Sequence, residues 1–179
     1  VMSEVFKQTV QRLPDILVKN AGPMMQPIVL AMQKAIAEDQ QLPDASYCVL
    51  LLKMAADDLA AGFERSIRES MDALRSSDAQ PGFTATSFSL AIEDTSHEAA
   101  AERADFQAAT AAFDRFAARG KSLGMRGLRS YDKDVLWTCL KQAFAKSRVS
   151  AEEASKVLPY ARRALNDELV RLYAKLEAL

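Results

Sequence analysis

The chain is predicted to be all-α, an elongated bundle of about six helices with one extended inter-helix segment at residues 83–94. Three observations predict this. Glycine and proline are scarce, six of each in 179 residues, and the prolines fall mostly where helices start, stop or bend. Apolar residues recur at steps of three and four along most of the chain. Only Phe88, Leu90 and Ile92 alternate with period two, and one such segment has no partner to pair with, so it reads as extended chain pressed onto helices.

The elements follow in order. Residues 3–20 carry Val5, Phe6, Val10, Leu13, Ile16 and Leu17 at helical spacing, and Pro14 marks a bend or the start of a second short helix. Asn20, Ala21, Gly22 and Pro23 read as a stop, followed by a helix over about 24–39 with Met24, Met25, Ile28, Val29, Met32 and Ile36 on one face. After Pro43 and a cap at Asp44, the longest periodic stretch, about 45–76, places Tyr47, Leu50, Leu51, Met54, Leu59, Phe63, Ile67, Met71 and Leu74 on its inner face. At 1.5 Å per residue that helix is about 48 Å long. A sphere of this many residues is only about 40 Å across, so the molecule is elongated or the helix bends near Gly62.

Residues 77–94 read as a linker between 1–76 and 95–179, within a single domain spanning 1–179. Thr95 and Glu98 form a capping box for a helix to about Arg119. Gly120, Gly124 and Gly127 make a loop, and Asp132 or Asp134 caps a helix over about 133–147. Ser150 and Glu153 box the last helix, with a bend expected at Pro159. Its stripe of Leu165, Leu169, Leu172, Leu176 and Leu179 either packs on the bundle, the favoured reading, or forms the seam of a homodimer.

Composition narrows the chemistry. A charged fraction of 26 % and near balance of 23 basic against 24 acidic residues exert no global pull toward nucleic acid or membrane. No apolar run is long enough for a spanning helix. Cys48 and Cys139 sit far apart in apolar stretches and read as reduced thiols, with a disulfide as the alternative; together with a start that lacks a signal pattern, they point to the cytoplasm. Val1 ahead of Met2 points to a longer natural chain.

His97 is the sole imidazole, so neither a catalytic triad nor a zinc site is expected. Adjacent acids such as Asp57 and Asp58 diverge on a helix, and no Glu-x-x-His pair offers a di-iron site. Gly120-Lys121-Ser122 copies the end of a phosphate loop, yet Arg115 stands where its first glycine belongs. No catalytic residue, metal or cofactor is expected. The methionines Met24, Met25, Met32, Met54 and Met71 read as core filling.

Charge placement says more. Arg115 to Arg148 holds nine basic residues against Asp132 and Asp134, whereas Asp78 to Asp114 holds seven acids against Arg103 alone. Such asymmetry asks for a partner. The favoured partner is internal, each segment facing the other. The alternative is a site for a partner or anion built from Arg115, Arg119, Lys121, Arg126, Arg129, Tyr131, Lys133 and Trp137, with an aromatic side chain to stack a base.

Three patches resemble the carboxy-terminal part of a large proteobacterial helical family, domain of unknown function 1631. The first is Leu59-Ala-Ala-Gly-Phe-Glu-Arg-Ser-Ile-Arg-Glu-Ser-Met71 leading into Phe88-Ser-Leu-Ala-Ile-Glu-Asp94. The second is Leu123-Gly-Met125, near the place where the family carries Leu-Gly-Pro. The third is Val157 to Leu179, similar to the family's terminal Leu-x-x-Leu-Tyr-x-x-Leu-Asn pattern with Glu177 in place of asparagine. The resemblance covers about 59–179 and implies a bacterial helical protein, with no activity or site residues to carry over.

The resulting expectation is a non-enzymatic regulator or adaptor that binds another protein through a helical surface. The alternative is a binder of an anionic nucleotide or nucleic acid through the basic loop 120–133.

Overall fold

The computed structural model describes residues 3–79, 96–120 and 132–179. Seven helices and no strand occur among them: α1 (Glu4–Gln11), α2 (Leu13–Glu38), α3 (Ala45–Ala79), α4 (Ser96–Asp105), α5 (Gln107–Gly120), α6 (Lys133–Ala145) and α7 (Ala151–Glu177). The all-α bundle expected from the sequence is thus the observed architecture. The segment expected to be extended, 83–94, lies outside the described residues.

The first break comes at Arg12, where the backbone turns to φ −102° and ψ 6°. Pro14 accounts for it: proline has no N–H to offer the Val10 carbonyl, and its ring crowds the backbone of the preceding turn. Within the first turn of a helix proline is tolerated, since its missing N–H would have no intrahelical partner there, so α2 begins at Leu13.

The stop expected at Asn20–Pro23 does not form. α2 runs without interruption to Glu38, through Pro23 and Pro27. Each proline leaves one carbonyl without its usual partner, those of Lys19 and Pro23, and both of these residues are exposed to water. Meanwhile Leu13, Leu17, Ala21, Met25, Ile28, Met32 and Ile36 stay on one buried face across the whole helix. Continuous burial of that face outweighs two missing hydrogen bonds, because each buried aliphatic side chain contributes about 1.5–3 kcal/mol.

The helix expected over 95–119 divides at Phe106. The divide coincides with a side chain inserting into the backbone ladder: Asn166 of α7 accepts the Ala109 N–H at 3.0 Å, so the third residue of α5 is capped by a different helix. Ser150 caps α7 by accepting the Glu153 N–H, while Glu153 accepts the Ser150 N–H in return. Asp132 caps α6 through the Asp134 N–H. α7 passes Pro159 as one helix.

The helices α2, α3, α6 and α7 form a ring in which each packs on the next. α5 packs along α7, α4 touches α5 and α7, and α1 touches α2 and α7. Among the described residues, one continuous apolar core joins all these helices except α4, reaching from Phe6 through Phe63 and Phe144 to Leu176. Residues of both 1–76 and 95–179 share it.

α3 continues through Gly62 as a single helix of 35 residues, about 52 Å long at 1.5 Å per residue. Its inner face differs from the expected one over its first half. Cys48, Leu52 and Ala55 are buried there, whereas Tyr47, Leu50 and Met54 point to solvent. From Leu59 onward the expected face, Leu59, Phe63, Ile67 and Met71, is the buried one.

Candidate functional site

The basic residues singled out from the sequence do not gather into one pocket. Lys121, Arg126, Arg129 and Tyr131 lie outside the described residues. Arg115 and Arg119 stand one turn apart on α5 but turn to different neighbours. Arg115 approaches Glu177 of α7 at 3.8 Å, and Arg119 holds its guanidinium carbon 4.4 Å from the centre of the Phe6 ring. Lys133 pairs with the adjacent Asp134 at 3.0 Å.

Trp137 is buried, its ring against Phe106 at 5.8 Å, and therefore presents no open face on which a base could stack. Its Nε1 donates to Glu102 of α4 at 3.0 Å. Lys141 of α6 reaches the same carboxylate at 3.6 Å and lies 5.5 Å from the Trp137 ring centre. Here the acidic and basic segments do meet, as internal pairing requires. Other charges of these segments go elsewhere: Asp105 to Arg162 of α7 at 2.8 Å, and Arg148 to Asp58 of α3 at 2.9 Å. The asymmetry along the sequence is thus dispersed over several helix contacts.

The leucine stripe of α7 also turns inward. Leu165, Leu169 and Leu176 are buried in the core, Leu172 packs against its edge, and Leu179 alone is 40 % exposed. A seam made of the first three would require the bundle to open.

Neither thiol is placed to react. Cys139 lies 3.3 Å from Ser70 Oγ in the α3–α6 contact, and burial pushes its pKa up to about 11. Cys48 is likewise buried, and desolvation raises its pKa. Burial also raises Asp132, helped by the neighbouring Asp134 carboxylate, although the hydrogen bond from the Asp134 N–H opposes the shift. Among the described residues no cluster of His, Cys, Asp and Glu is disposed to hold a metal ion. An open cleft of about 430 Å³ between α2 and α3 is lined by Asp15, Val18, Lys19, Glu64, Arg68, Met71 and Asp72, with Arg68 paired to Glu64 at 2.9 Å.

The surface feature that sequence reasoning missed is the outer face of α3. Tyr47, Leu50 and Met54 are 55, 53 and 68 % exposed and follow one another at steps of three and four. Polar groups flank them. Asp44 takes Lys156 at 3.2 Å, Asp58 takes Arg148, and the Tyr47 hydroxyl donates to Glu153. The missed signal was the spacing of Cys48, Leu52, Ala55 and Leu59, an equally regular apolar row shifted by one residue.

The geometry defines an all-α bundle with an exposed apolar row on its longest helix. Comparison of the chain with protein-family models, with curated proteins and with solved structures finds no match. The likeness to domain of unknown function 1631 therefore rests on the quoted residues alone. Among the described residues no helix is long and apolar enough to cross a membrane.

Proposed function

We propose that this chain is a non-enzymatic bacterial regulatory or adaptor protein of the cytoplasm, acting by protein–protein interaction through a helical surface. The observation that carries the reading is the row of Tyr47, Leu50 and Met54 on the outer face of α3. Large apolar side chains aligned along a helix, with ion pairs at either end, match the apolar centre and polar rim of a protein interface. An amphipathic helix laying residues at steps of three and four along the row is the partner chemistry that suits it.

The reading of loop 120–133 as an anion site has less support, since Trp137 is buried and Arg119 faces Phe6.

The test is a paired capture experiment with the wild-type chain and the Leu50→Glu/Met54→Glu variant as baits. Both side chains project into solvent, so the variant keeps its melting temperature. Proteins retained by the wild type at raised salt, where phosphate contacts weaken steeply, are expected to be lost by the variant. Equal capture by both baits overturns the reading.

A further inference from the structure

Phe6 is the single fully buried side chain of α1, and the walls that bury it come from the far end of the chain. Its ring meets Phe116 of α5 edge-on at 5.9 Å, and the Arg119 guanidinium covers it at 4.4 Å. Behind Phe116 stand Tyr173 of α7, stacked on it at 6.3 Å, and Phe113. One further anchor ties this end down, the Ser3 hydroxyl donating to the Leu179 carbonyl at 2.6 Å. Val5, on the same short helix, is exposed.

Eight residues are too few for a helix to persist in water unless it is docked, so α1 stands or falls with this contact. The bend at Arg12 separates it from α2, and the ring of α2, α3, α6 and α7 is complete without it. Undocking α1 therefore leaves the rest of the core in place. It uncovers an aromatic slot roofed by a cation, a combination that accepts an uncharged aromatic side chain and repels a basic one.

We propose that α1 is a releasable latch whose Phe6 occupies an aromatic slot of α5 and α7, and that its release admits the aromatic anchor of a partner helix built like α1. Phe6 itself displays the ligand chemistry: a phenyl ring on one face of a short helix, set between Phe116 and Arg119. This inference uses a surface separate from the α3 row and stands or falls independently of the proposed function.

Two measurements on the full chain test it. In native-state hydrogen exchange, the amides of Lys7 to Arg12 are expected to exchange about tenfold or more faster than those of Met25 to Ile36, by an opening that leaves α2 protected. In the second, a labelled peptide of residues 3–12 is titrated against the wild type and the Phe6→Ala variant. Because the intramolecular latch competes for the slot, the peptide is expected to bind the variant about tenfold or more tightly than the wild type. A peptide carrying Phe6→Ala should bind neither. Equal protection of α1 and α2 overturns the latch whether or not the variant folds; equal binding to both chains, or binding to neither, overturns the slot.

Discussion

Where α3 crosses α6, the two backbones come together because almost nothing stands between them. A β-carbon at Gly62 would lie 3.4 Å from both Cα and Cβ of Ala143, and further along the same contact Ser70 meets Cys139 at 3.3 Å. Where α1, α5 and α7 meet, the interval is instead filled by rings: Phe6, Phe113, Phe116 and Tyr173 stand 5.3–6.5 Å apart in edge-on and stacked pairs. The first contact derives its strength from proximity and the second from volume. They should consequently fail in opposite ways, the close contact on addition of atoms and the ring cluster on their removal.

The largest effect is expected in the ring cluster. Phe116→Ala removes a fully buried ring that touches three others and should lower stability by about 3–5 kcal/mol, read from denaturant unfolding. A loss below about 1 kcal/mol would mean the cluster collapses to fill the gap, and the contrast between the two contacts would fail. At the close contact, Gly62→Leu should be destabilising by about 1–3 kcal/mol through overpacking against Ala143. Gly62→Ala tests the same point more finely. Its β-carbon fits at ordinary contact distance and alanine favours helix, so the melting temperature should hold or rise. If Leu is tolerated as well as Ala, the spacing there is not set by glycine.

The smallest effect belongs to neither contact. Tyr160 and Tyr47 donate hydrogen bonds from their hydroxyls to Asp39 and Glu153, holding both carboxyls below their ordinary values of 3.8 and 4.5. A carboxylate whose folded pKa is depressed stabilises the fold above its unfolded pKa, and that contribution is lost as pH falls through the folded value. Both tyrosines are raised above 10.0, so their share is present below that pH and lost only in strong alkali. Thermal melts from about pH 5 down to about pH 2 should therefore show a small acid destabilisation that Tyr160→Phe partly flattens. An identical acid limb in the variant would remove Asp39 from the account.

Local chemistry was the legible part of this chain. The Ser150–Glu153 box, the Asp132 cap and the inner face of α3 from Leu59 to Met71 each follow from residues within one or two turns of one another. What could not be read needed knowledge of the neighbouring helix. Pro23 looked like a stop because the burial that carries α2 past it comes from α3 and α7. The break at Phe106 follows from Asn166, 57 residues away from the N–H it accepts. At the candidate surface, the basic residues were visible as a run, but whether Arg119 faced a ligand or Phe6 was invisible.

Helical character, cap positions and the clustering of charge along the chain were determined by the sequence itself, since they arise from propensity and from side chains reaching their own backbone. Which of two apolar rows on α3 faces inward was decided by tertiary structure. The 3.6-residue repeat accommodates Tyr47, Leu50 and Met54 as readily as Cys48, Leu52 and Ala55, and only packing against α2 and α6 selects the second. The exposed row exists because that selection left the larger side chains outside.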